Sequence, residues 1–123
     1  MSGVDFCADT NFAVYHLGGH RCVRPYLAAA LAVSVVTELE LLSKPGMPTA
    51  EVAAAELYLE TCEIIDLTAP VKAAVIGLRR QYRLKLPDAI VAATAQWLGV
   101  PLLTADKGFV RIADLDVVLL DPA

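Results

Sequence analysis

Apolar residues follow two rhythms along this chain. Short runs at residues 4–8, 31–36, 64–67, 101–104 and 117–120 are rich in Val, Ile and Leu and predict strands. The run 31–36, LAVSVV, shows no polar alternation, the pattern of a strand buried on both faces of a parallel sheet. Between the runs, apolar positions recur at helical spacing. Residues 11–17 predict a short helix halted by Gly18 and Gly19, and residues 20–24 a loop. Pro25 suits the first turn of a second helix reaching about residue 30. Thr37 is the predicted N-cap of a helix beginning at Glu38, and KPGMP at 44–48 is a break. Thr49 predicts the cap of a helix over 50–62. Another starts at Thr68, with Val71, Val75, Leu78 and Tyr82 as its inner stripe. Leu86-Pro87-Asp88 opens a helix over 89–98, which Gly99 closes as a C′ glycine. Its small residues Ala89, Ala92, Ala93 and Ala95 permit close packing on a sheet. Residues 107–109 read as a turn or short helix.

Strands alternating with helices predict the fold class α/β. The expectation is a three-layer α/β/α sandwich around a mostly parallel sheet of about five strands, with right-handed crossovers. The length, 123 residues, fits a single domain over 1–123, and no repeat or linker interrupts it. With 57% hydrophobic and 20% charged residues the chain can bury a sizeable core. Cys7, Cys22 and Cys62 are odd in number and form no C-x-x-C, so free thiols in a reducing compartment are expected, not disulfides or a zinc site. No basic-then-apolar leader is seen. The longest apolar stretch, residues 26–36, is interrupted by Ser34 and falls short of the ~20 residues that span a bilayer. A soluble, cytoplasmic protein without a membrane partner is the expectation. The net charge of −4 argues against a broad nucleic-acid surface, but it suits a chain that gathers acids at one site and keeps basic residues local.

Ligands of parallel α/β sheets sit outside the carboxyl ends of the strands. Asp9, Glu38 and Asp106 follow predicted strands one, two and four, and Asp88 lies in a first helical turn. Each acid alone is explained as a helix cap or a turn former. Four converging on one rim would repel one another, and carboxylate oxygens suit hard cations such as magnesium or manganese. Glu40 lies two residues beyond Glu38, on the opposite side of a helix, so only one of the pair can face the site. Asp66 is a reserve candidate, whereas Asp114, Asp116 and Asp121 read as surface or turn residues. Asn11 and Thr104 neighbour Asp9 and Asp106 and are candidates for orienting carboxylates or waters. Arg79, Arg80, Arg83 and Lys85 lead into Asp88; they read either as a solvated helix face or as a strip contacting phosphates. His16 and His20 have the spacing of a zinc pair, but the glycines between them break the helix that would hold it.

Several stretches resemble the PIN domain, and more closely its VapC-type toxins of bacterial toxin–antitoxin pairs. They are Ala8-Asp9-Thr10-Asn11, Ser34-Val35-Val36-Thr37-Glu38-Leu39, residues 86–95 (LPDAIVAATA) and residues 99–107 (GVPLLTADK). The resemblance runs from near the N-terminus to the end. It implies an endoribonuclease in which Asp9, Glu38, Asp88 and Asp106 bind one or two magnesium or manganese ions, and a metal-activated water attacks the RNA phosphodiester. It also implies a homodimer and a small antitoxin whose tail covers the active-site groove. DNA would be reached only through that antitoxin.

Three other readings compete. A haloacid-dehalogenase-like phosphatase needs a second acid two residues after the first, where Asn11 stands. A phospho-accepting receiver domain would use Asp66 and Lys107 but leave Glu38 and Asp88 idle. A PIN-like fold kept only for binding would have no reason to keep four acids. Within the family, a nuclease outside any toxin–antitoxin pair is the alternative.

Overall fold

Cys7 and Ala8 are consecutive and fully buried, yet they enter different cores. That is the mark of a strand covered on both faces, since successive side chains point to opposite sides of a sheet. The computed structural model, which describes residues 3–123, has five strands, and burial falls off in the two at the edges of the sheet. The five are β1 (Phe6–Ala8), β2 (Leu31–Ser34), β3 (Glu63–Ile65), β4 (Leu102–Thr104) and β5 (Val117–Leu119). They form one sheet in the order β3-β2-β1-β4-β5, and every neighbouring pair is parallel. Cys7 lies opposite both Ala32 and Leu102.

The helices are α1 (Thr10–Leu17), α2 (Val35–Leu42), α3 (Thr49–Glu60), α4 (Ala69–Gln81) and α5 (Leu86–Leu98). One core joins Cys7, Ala32 and Leu102 to Val71, Val75 and Leu78 of α4 and the alanines of α5. The other joins Ala8, Val33 and Leu103 to Phe12 of α1, Leu41 of α2 and Leu59 of α3. The three layers are thus as expected, and the sheet is wholly parallel. Every residue from Ala89 to Ala95 is buried, because α5 packs on β1, β2, α2 and α4 together. The buried Thr94 hydroxyl is satisfied by the Ile90 carbonyl at 2.8 Å. Gly99 caps α5 at φ 70°, as its position predicts.

Several boundaries differ from the sequence reading. No helix follows Pro25. A 3₁₀ segment, Arg21–Tyr26, replaces it, started by His20 Nδ1 accepting from Cys22 N at 3.1 Å. Val23 anchors it in the core and Tyr26 packs edge-on against Phe6, so tertiary contacts favour a tight coil over a helix. β3 ends at Ile65, leaving Asp66 outside it. At α3 the cap position is Pro48, not Thr49.

The correction that matters for function is at β2. The strand ends at Ser34, whose Oγ accepts from Thr37 N at 3.3 Å and so caps α2. Val35 and Val36 are helical despite their strand propensity, and Thr37 is inside the helix. A polar cap at the strand end decides where the helix starts.

Candidate functional site

β2 and β3 build the sheet on one side of β1, and β4 and β5 on the other. Between β1 and β4 the chain connections diverge, which opens a crevice at the carboxyl ends of those strands. Asp9 follows β1 directly and caps α1, its Oδ1 accepting from Phe12 N at 2.8 Å. Its Oδ2 accepts from Thr104 Oγ1, the last residue of β4, at 2.5 Å. The same threonine oxygen accepts from Asp106 N at 2.9 Å. Thr104 therefore couples the two strand ends, and Asp9, only 5% exposed, is held through both carboxylate oxygens. Asp106 caps a 3₁₀ turn, Lys107–Phe109, through Gly108 N at 2.8 Å. Asp88 lies in the first turn of α5.

The fourth acid is Glu40. Thr10 Oγ1 donates to Glu40 Oε1 at 2.5 Å and stands 3.0 Å from Thr37 Oγ1. A hydroxyl has one hydrogen, so the fully buried Thr37 donates to Thr10 while Thr10 donates to the carboxylate. Asp9, Glu40, Asp88 and Asp106 line one cavity of about 170 Å³, together with Thr10, Asn11 and an apolar wall of Pro87, Val91 and Phe109. Glu38 is not in that wall. Because α2 starts at Val35, the face on the cavity side runs through the buried Thr37 and Leu41 and the exposed Glu40, at spacings of three and four. Glu38 sits roughly 200° around the axis from Glu40. Of the sequence-chosen acids the fold therefore brings together Asp9, Asp88 and Asp106, and it puts Glu40 where Glu38 was expected.

Charge is unbalanced in this cavity. Burial holds the Asp9 carboxyl above its ordinary 3.8; the bonds from Thr104 and Phe12 oppose this, and Asp106 and Asp88 add to it. Asp88 is raised by burial and by Asp106 and Glu40, with Lys85 pulling the other way. The folded state therefore binds these protons more tightly than the unfolded chain. The two acids favour the fold in acid, and that contribution is lost as pH rises from about 3.8 through their raised values. Asp88→Asn should accordingly raise the melting temperature by a few degrees at neutral pH and by less in acid, in melts run with a chelator. A lower melting point at neutral pH would contradict this account.

A family model described as PIN domain matches residues 6–115. The chain belongs to the PIN-domain family. No curated protein matches it. Among solved structures, this PIN domain is similar to a toxin–antitoxin complex from Klebsiella pneumoniae at 29% identity and TM-score 0.80, covering 97% of this chain and 98% of that one. It shares its fold with VapBC2 from Rickettsia felis bound to a promoter DNA fragment, at 24% identity, TM-score 0.83, and 94% and 98% coverage. DNA-bound VapBC from Salmonella typhimurium has the same fold at 19% identity and TM-score 0.82, with 94% and 97% coverage.

Thr104 orients Asp9 directly, and Asn11 is in the cavity wall. Arg83 and Lys85 share a second hollow with Asp88 and Asp106, whereas Arg79 and Arg80 line a groove beyond it. His16 Nδ1 pairs with Tyr58 Oη at 2.9 Å and His20 caps the 3₁₀ segment, so the two do not form a zinc pair. All three cysteines are free, and burial pushes the Cys7 thiol up to about 12. Thr10, Thr37 and Arg111 were missed. Thr37 and Glu40 at i, i+3 carried a signal, but reading it needed the correct helix start.

Proposed function

We propose that this PIN domain is a metal-dependent endoribonuclease and the toxin of a toxin–antitoxin pair. The observation that carries the reading is the meeting of Asp9, Glu40, Asp88 and Asp106 in one cavity at the point where the chain connections diverge. The likeness to a toxin–antitoxin complex over nearly the full length of both chains supports the pairing.

The donor set suits magnesium or manganese. It is all oxygen, and burial, with neighbouring acids adding to it, raises the Asp9 and Asp88 carboxyls, a cost of negative charge that a divalent cation would relieve. Among the described residues no three acids stand close enough to enclose an ion by themselves. One or two ions would be held here by these carboxylates together with water or substrate oxygens, the habit of magnesium. When bound, such an ion supplies a Lewis acid and a water of lowered pKa beside the phosphodiester. The chain's own part is positional. Thr104 and the start of α1 fix Asp9, Thr10 fixes Glu40, and the 3₁₀ turn fixes Asp106. Val91 and Phe109 keep one wall of the cavity apolar.

For the antitoxin or a second copy in a homodimer, apolar surface is present away from the acids. Val14, Leu17, Leu41 and Met47 line a hollow of about 300 Å³ between α1, α2 and α3. The Rickettsia complex is bound to a promoter DNA fragment; for this protein any contact with DNA is proposed to be the antitoxin's. Among the described residues no helix is long and apolar enough to cross a membrane.

Purified protein is expected to cut RNA with magnesium or manganese and to stop when a chelator is added. Its expression in a bacterial host should arrest growth, and co-expression of a small neighbouring reading frame should relieve the arrest. Absence of cleavage with either metal would favour a fold kept for binding.

A further inference from the structure

The acid cavity opens sideways. Asp88, Asp106 and Phe109 also wall an adjoining hollow of about 160 Å³ that includes Arg83, Lys85 and Arg111. The Arg111 guanidinium donates to the carbonyls of Gly108 at 3.2 Å and Arg83 at 2.5 Å. It thereby ties the turn capped by Asp106 to the loop that leads into the helix of Asp88. Arg83 and Leu84 then continue into a larger groove of about 520 Å³, lined by Ile76, Leu84 and Leu86 with Arg79 and Arg80. Arg79 Nε is anchored to the Leu84 carbonyl at 3.4 Å, while Ile76 and Leu86 stay 52% and 49% exposed. Six of the ten Lys and Arg residues lie between Arg79 and Arg111, in a chain of net charge −4. Five of them, Arg79, Arg80, Arg83, Lys85 and Arg111, line the adjoining hollow and the groove beyond it.

Forked guanidinium donors match phosphate oxygens, and guanidinium planes stack on unstacked bases, whose apolar faces neighbouring aliphatic side chains can cover. We infer that this groove is a subsite for single-stranded RNA on one side of the cut. The phosphate next to the acids passes Arg83, Lys85 and Arg111. A flanking base lies on Ile76, Leu84 and Leu86, with Arg79 and Arg80 on the phosphate beyond. The inference rests on the nuclease reading only for which phosphate is cut; strand binding in the groove stands or falls separately.

The test measures affinity by fluorescence anisotropy in the Asp88→Asn background, so that binding is read without cleavage. Labelled RNA oligonucleotides are lengthened stepwise on one side and then on the other. Lengthening on one side should tighten binding about tenfold, and Arg79→Ala with Arg80→Ala should remove that gain. Two lost phosphate contacts should lower the slope of log affinity against log salt by roughly 1.4, and Arg79→Lys with Arg80→Lys should restore the slope. Both arginines are exposed, and thermal melts of each variant verify the fold. An unchanged slope, an equal loss on the shortest oligonucleotide, or an acidic apolar peptide that occupies the groove while RNA does not would overturn the inference. If wild-type protein cuts no RNA yet the length and slope effects appear, the nuclease reading fails and the subsite stands.

Discussion

Asp9→Asn is expected to give a folded protein whose RNA cleavage has fallen about a thousandfold or more, ~4 kcal/mol of transition-state stabilisation. Asparagine keeps an oxygen that can accept from Phe12 N, so the cap of α1 and the course of the chain survive. What disappears is the charge of the most deeply buried acid in the cavity, the one held through both oxygens. Its loss also relieves repulsion with Asp106 and Asp88, so no fall in melting temperature from charge is expected. The check is the cleavage rate of a labelled RNA with magnesium or manganese, alongside circular dichroism and a thermal melt. Cleavage at the wild-type rate by a folded Asp9→Asn protein would sink the mechanism.

A sharper comparison separates two glutamates two residues apart. Glu40→Gln should lower cleavage about a hundredfold, ~3 kcal/mol, while Glu38→Gln should leave it within about twofold. Glutamine at 40 retains an acceptor for Thr10, so the change tests charge more than shape. Glu40 is in the cavity and acts electrostatically on Asp88, whereas Glu38 is outside the wall. Both rates come from the same assay. A large loss at Glu38 with none at Glu40 would mean that the wrong face of α2 has been assigned to the site.

That pair also marks where sequence reading reaches its limit. Residues 31–36 are all compatible with a strand, and propensity alone extends β2 through Val36. The Ser34 hydroxyl ends it two residues sooner by capping α2. Two residues of helix turn the side chains by about 200°, which exchanges Glu38 for Glu40. Asp9 was more legible, because it ends a buried strand and its local cap is visible in the sequence. Asp88 and Asp106 were legible through position alone, each one turn or one step beyond a clear element boundary.

The basic residues tell a similar story. The run from Arg79 to Lys85 is conspicuous in the sequence, but it splits in space between the hollow beside the acids and the groove beyond. Arg111 lies nearly thirty residues from Arg83 in the chain, and no local pattern joins them; a guanidinium reaching the Arg83 carbonyl does.

By itself the sequence determined the class of fold, because alternating buried runs and amphipathic stretches leave few ways to cover both faces of a sheet. It also determined that carboxylates stand at strand ends, since those positions are local. The tertiary structure alone decided which carboxylates meet. That depends on the strand order placing β1 beside β4, on the Thr104 hydroxyl joining their ends, and on where a serine cap starts a helix. Each of these is a contact between parts of the chain, or a choice between two competing local structures, and hydrophobic periodicity carries no information about either.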